Sequence, residues 1–171
     1  MFIIPLSAAT SSRLTWSKIS SRNFELNRNG EVIGTLQRPS FWSSSFVAET
    51  QSGRWTFRRG GWLGAGAQIV DSSQQHVATF KSGWGGGGGT LSFADGQTVH
   101  LQSKGWCRPV WSVIAETGET LLCLHRREKI VDVPSTTAVP ESRLALLILF
   151  SWYRVLPSEE DAASVAVMAA S

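Results

Sequence analysis

The chain is short of the residues that covalent and metal chemistry use: two cysteines, three histidines and one tyrosine in 171 residues. Cys107 and Cys123 are too few for a disulfide framework. No Cys-x-x-Cys or mixed Cys/His spacing is present, so a structural zinc site has no sequence signature. Both cysteines fall in expected strands, as buried inert thiols. His76, His100 and His125 lie in separate segments without ligand spacing. No serine stands beside a histidine and a carboxylate, and no carboxylate pair has a recognisable spacing. The expectation is a non-enzyme with no catalytic residue, no cofactor and no metal. An enzyme with a site assembled at the mouth of the fold from sequence-distant residues is the weakest alternative.

Charge is also scarce. Charged residues are 17% of the chain, below the roughly 25% of an average globular protein. The net charge of +3 suits phosphate-bearing surfaces but falls short of a dedicated nucleic-acid binder. No nucleic-acid partner is expected. Long hydrophobic runs are missing too. The longest, residues 144–150, reaches 13 residues only if extended to 156, where a bilayer needs about 20. Met1 to Leu6 has neither the basic start nor the apolar core of roughly 7–15 residues that a secretion signal needs. A cytoplasmic, reducing location is expected, with peripheral contact to a membrane as a further option.

What is abundant is punctuation. Five turn tips recur: Arg28-Asn29-Gly30, Gln51-Ser52-Gly53, Ser72-Ser73-Gln74, Ala94-Asp95-Gly96 and Glu116-Thr117-Gly118. Their third residues are 23, 21, 22 and 22 positions apart. A three-residue hairpin loop puts its last residue at positive φ, where glycine carries no steric penalty. Gln74 is the exception. Centring each loop on its middle residue sets Leu26 opposite Val32, Val47 opposite Phe57, Ile69 opposite Val77, Leu91 opposite Val99 and Val113 opposite Leu121. Every pair is apolar on apolar, as one buried sheet face requires. The same rule sets Thr90 opposite His100.

Between hairpins a second device repeats in Phe41-Trp42, Gly61-Trp62, Gly83-Trp84 and Gly105-Trp106, with the tryptophans 20, 22 and 22 apart. It reads as a strand corner whose ring packs over bare backbone; an exposed stacking platform is the alternative. The Gly-x-Gly-x-x-Gly match at Gly83–Gly88 lacks the helix that a dinucleotide site needs after it, because Thr90 to Phe93 resumes a strand.

Pro134 to Pro140 reads as a linker. Residues 141–156 read as a helix stopped by Pro157 and apolar on every side over 144–150. Such a helix must be enclosed. Five hairpins make ten strands, and the N-terminal segment and the stretch Lys129 to Val133 raise the sheet to about twelve. Closing it around the helix hides the helix and removes the sheet edges together. The expected fold is therefore mainly β, a closed antiparallel barrel of about 12 strands built from serial hairpins around a central hydrophobic C-terminal helix. The expected limits are a lead-in over 1–15, the barrel with its helix over 16–156, and a tail over 157–171. Such a barrel has little room for a carried ligand.

The serial units FELNRNGEVIGTL over 24–36 and WSVIAETGETLLC over 111–123, with the closing segment ALLILFSWY over 145–153, give the chain a likeness. It resembles the tubby C-terminal-like fold shared by tubby proteins, phospholipid scramblases and plant LURP-one-related proteins. That resemblance implies a non-enzymatic binding or scaffolding module. Tubby-like members bind phosphoinositides, and scramblase-like members act at membranes. No family residue carries over position by position. The candidate sites come instead from the basic clusters Arg54, Arg58 and Arg59, Lys104 and Arg108, and Arg126, Arg127 and Lys129. Gathered at one end of the barrel they would form a patch for anionic phospholipid or phosphate. A monomer is expected, with an anionic phospholipid or membrane surface, or an unspecified protein, as its partner. A scramblase-like, membrane-anchored protein is the alternative.

Overall fold

All five expected hairpins form in the computed structural model, which describes residues 12–40, 42–60, 66–83, 88–104, 110–134 and 139–156. In chain order the strands are β1 (Ser12–Lys18), β2 (Asn23–Arg28), β3 (Glu31–Gln37), β4 (Ser45–Thr50), β5 (Gly53–Gly60), β6 (Gly66–Asp71), β7 (His76–Ser82), β8 (Gly88–Phe93), β9 (Thr98–Lys104), β10 (Val110–Ala115), β11 (Thr120–His125) and β12 (Ile130–Val133). Helix α1 (Glu141–Val155) follows. The sheet is a closed antiparallel barrel in which each strand pairs with its sequence neighbours. The circle closes where β1 pairs with both β12 and β2. The expected lead-in over 1–15 is thereby corrected: residues 12–15 already belong to the barrel, and β1 covers two edges that would otherwise be open to pairing with other chains.

Four of the five hairpin registers differ from expectation. Leu91 opposes Val99, and Thr90 opposes His100, as expected. In hairpins one, three and five an extra residue enters the second strand beyond the turn. Leu26 then faces Gly34, Ile69 faces Ala78 and Val113 faces Leu122. The extra residues are Ile33, Val77 and Leu121, β-bulges that tighten the local twist. In the second hairpin Thr50 pairs with Gly53, so the turn is two residues and Phe57 faces Phe46 rather than Val47. Gly53 therefore opens β5 without the expected positive φ, and a β-carbon on it would lie 2.6 Å from the Trp55 ring. Gln74 takes the expected positive φ of 62° despite its side chain.

Buried apolar residues alternate along the strands: Leu14 and Trp16, Phe24 and Leu26, Trp55 and Phe57, Leu122 and Leu124. Outward positions such as Thr15, Thr56, Thr79, Ser92 and Gln102 are polar and at least partly exposed. A barrel that crosses a bilayer has the reverse arrangement. Helix α1 fills the interior, buried from Leu144 through Tyr153 and again at Val155. Each fully buried aliphatic side chain of this kind contributes roughly 1.5–3 kcal/mol relative to exposure.

Aromatic rings join helix to wall. Trp152 stacks on Trp16 of β1 at 5.0 Å and 7°, and Phe150 meets Phe57 edge-on at 5.5 Å. Ser151, the buried polar residue of the helix, donates to the Leu147 carbonyl at 2.6 Å, which satisfies its hydroxyl. No helix among the described residues is long and apolar enough to cross a membrane.

The antiparallel order gives the barrel two distinct ends. Strands β2, β4, β6, β8 and β10 run toward the five hairpin turns, the tip end. The odd-numbered strands β1 to β11 finish at the opposite, loop end. Helix α1 enters at the tip end, where Ser52 donates to Glu141 Oε1 at 2.9 Å and Arg143 binds Asp95 and Gln97. It finishes at the loop end, where Arg154 donates to Ser82 at 3.1 Å.

Candidate functional site

Strand direction sorts the charges. Glu31, Glu49, Asp71, Asp95, Glu116, Glu119 and Glu141 lie in or beside the hairpin turns. The turn after β11, residues 126–129, instead carries Arg126, Arg127 and Lys129 with Glu128. Lys18 and Arg22 flank the turn after β1, and Arg38 opens the connection after β3.

These three basic connections are neighbours on the loop end. The Trp16 amide of β1 donates to the Lys129 carbonyl at 2.8 Å. The Arg38 amide donates to the Arg22 carbonyl at 2.8 Å, extending the β2–β3 ladder past the barrel rim. One continuous arc of backbone therefore carries Arg126, Arg127, Lys129, Lys18, Arg22 and Arg38. Two of its cations place their charged groups over rings of the barrel wall. Lys18 stands 5.9 Å from the Phe24 centroid and Arg38 5.9 Å from that of Phe46.

The helix adds to this end. Its last-turn carbonyls bring partial negative charge, which Arg154 complements. The Arg154 guanidinium lies 4.7 Å from the Phe80 centroid. Burial lowers its pKa from the usual arginine range; the Tyr153 phenol opposes that shift and the Arg59 charge adds to it. Burial likewise raises the Tyr153 phenol above its ordinary range, against the pull of Arg154 and Arg59. Arg59 therefore acts on the same mouth as the helix end.

The expected cation set divides accordingly. Arg126, Arg127 and Lys129 sit together, and Arg59 and Lys104 stand at the loop-end finish of β5 and β9. Arg54 is at the tip end, beside Glu49 across the β4–β5 pair. Arg58 is on the outer wall and donates to the Gln74 side chain in the third hairpin turn. Arg108 lies outside the described residues, as do Cys107, Trp62, Trp84, Trp106 and 157–171. Sequence reasoning missed Lys18, Arg22, Arg38 and Arg154, which stand singly in the sequence; counting strand direction from the first hairpin would have placed them.

Trp42 corrects the expected packing of the corner tryptophans. It is 91% exposed, in the connection that Arg38 opens. Cys123, expected to be buried, is half-buried on β11 with its Sγ 3.7 Å from Ser112 Oγ.

Elsewhere, His76 contacts Thr79, His100 contacts Thr90, and His125 pairs with Asp132 at 3.0 Å. No group of three or more metal-ligating side chains occurs among the described residues. An open pocket of about 270 Å³ at the tip end is lined by Trp55, Val77, Phe93, Asp95, Arg143 and Leu146. Its two charged groups are engaged with each other in the Arg143–Asp95 ion pair. No protein-family model, curated protein or solved structure matches the chain.

Proposed function

We propose that the protein is a non-enzymatic binding module of the tubby-like kind that docks its loop end on anionic phospholipid, phosphoinositides included. The observation that carries this reading is the arc of Arg126, Arg127, Lys129, Lys18, Arg22 and Arg38 on three hydrogen-bonded neighbouring connections, away from the acid-bearing turns. A cation near an anionic membrane surface contributes about 1 kcal/mol, so a cluster holds where one residue would not. With the interior filled by α1, the binding surface is the exposed rim. This reading puts the protein at the cytoplasmic leaflet, where anionic lipids concentrate. The scramblase-like alternative needs a helix in the bilayer and draws no support from a 15-residue helix enclosed by strands.

The test is co-sedimentation with phosphatidylcholine vesicles, alone or carrying phosphatidylserine or a phosphoinositide, at low and high salt. Binding to the anionic vesicles that weakens with salt is expected. Equal, negligible binding to all three would end the lipid reading.

A further inference from the structure

Among the described residues, the large apolar side chains left most exposed stand at the same end of the barrel. Ile19, in the turn after β1, is 58% exposed, and Trp42, in the connection after β3, is 91% exposed. A single exposed apolar residue needs no explanation. Here both stand on neighbouring connections of the basic arc, the two joined by the Arg38 to Arg22 backbone hydrogen bond. Ile19 follows Lys18 directly in the chain, and Trp42 is four residues beyond Arg38.

The loop that presents Trp42 is held in place. Arg38 Nε donates to the Ser43 carbonyl at 2.7 Å, and the Ser43 amide donates back to the Ser40 carbonyl at 3.1 Å. The Ser43 and Ser45 hydroxyls meet at 2.8 Å. A loop tied this way meets its target with part of its backbone ordering entropy already spent.

We propose that Trp42 and Ile19 are membrane anchors that enter the headgroup and upper acyl region when the surrounding cations meet anionic lipid. Tryptophan favours this depth because its ring is apolar while its N–H stays in a hydrated layer. Isoleucine adds apolar area without a polar group to desolvate. The cations supply the complementary charge: Lys18, Arg22 and Arg38 flank the two side chains, and Arg126, Arg127 and Lys129 lie on the next connection. Charge gives attraction that salt screens, and insertion gives attraction that salt spares. This proposal rests on the lipid reading above and specifies how the surface is engaged.

The experiment uses the full chain with phosphatidylcholine vesicles containing phosphatidylserine, in matched preparations with bromine on the acyl chains. For the native protein, bound to these vesicles, brominated chains should quench part of the tryptophan fluorescence. Trp42→Phe should diminish that quenching while keeping most of the affinity, since the benzene ring still inserts. Trp42→Ser combined with Ile19→Ser should weaken binding about tenfold or more, with the larger share of the loss seen at high salt. Both sites are exposed, so thermal midpoints of the variants should match the native one.

Binding by the double serine variant that equals the native protein's, or quenching that Trp42→Phe leaves undiminished, would overturn the anchors and leave the basic arc standing. Failure of the native protein to bind any anionic vesicle would overturn both proposals. Equal quenching by bromolipid in vesicles without phosphatidylserine would overturn the coupling of insertion to charge.

Discussion

At the tip end Asp95 meets Arg143, Glu141 accepts from Ser52, and Glu49 sits across from Arg54. At the loop end Lys18, Arg22, Arg38, Arg126, Arg127 and Lys129 share an arc whose acid among the described residues is Glu128. Both ends are made by the same hairpins. The tip end uses its charges to hold the helix entry, whereas the loop end gathers charge of one sign, a concentration that costs stability through self-repulsion. The contrast separates groups that hold the fold from groups that face outward, and that is the reason to seek the function at the loop end.

The largest expected effect comes from breaking what the helix contributes to the loop-end half. Trp152→Ala removes the ring stacked on Trp16 and should cost about 3–5 kcal/mol, measured by urea denaturation with an unchanged slope. A loss below about 1 kcal/mol would mean that the helix end is not held as described.

Next, the comparison predicts unequal effects of equal charge removal. Lys129→Ala should weaken anionic-vesicle binding by about 1 kcal/mol, roughly fivefold, while Arg54→Ala at the tip end leaves it unchanged. Equal losses at both ends would dissolve the distinction.

A smaller, spectroscopic effect sharpens it. The chain has a single tyrosine, so tyrosinate absorbance reports Tyr153 alone. Its native titration should lie above the ordinary phenol range because burial disfavours the anion. The unfolded chain ionises first as pH rises, so native stability should fall once pH passes the ordinary phenol value. A native titration at the unfolded position would contradict the burial of the helix end.

The smallest effect belongs to the tip end. The Arg143 hydrogen bond holds the Asp95 carboxyl below its usual range. Its stabilisation is therefore present above the ordinary carboxylate value and lost as pH falls through the native one. Asp95→Asn should lower the thermal midpoint slightly at neutral pH, and native and variant proteins should converge in acid. A gap that persisted in acid would assign the effect to something other than this charge.

The hairpins and the helix were legible in the sequence because each has a local cause: a turn residue at positive φ, a period of two, or an apolar run closed by proline. The registers were not. At Val32-Ile33, Leu121-Leu122 and Val77-Ala78 two apolar residues adjoin, so a pattern of apolar on apolar is met both with and without a bulge. The candidate site was half legible. Arg126, Arg127 and Lys129 announce themselves as a cluster, but Arg54 and Arg58 also looked like one. Four residues of strand separate their backbones by about 13 Å, enough to put one at the tip end and the other on the outer wall.

By itself the sequence determined that this chain forms serial hairpins enclosing a greasy helix, since hydrophobic period and turn chemistry act over a few residues. The tertiary structure decided which charges become neighbours. Lys18, Arg22, Arg38 and Lys129 are far apart in the chain and meet because barrel closure sets β12, β1, β2 and β3 side by side. The same closure put Ile19 and Trp42 on that rim. Long-range adjacency of this kind is a property of the closed ring and has no counterpart in any local stretch of residues.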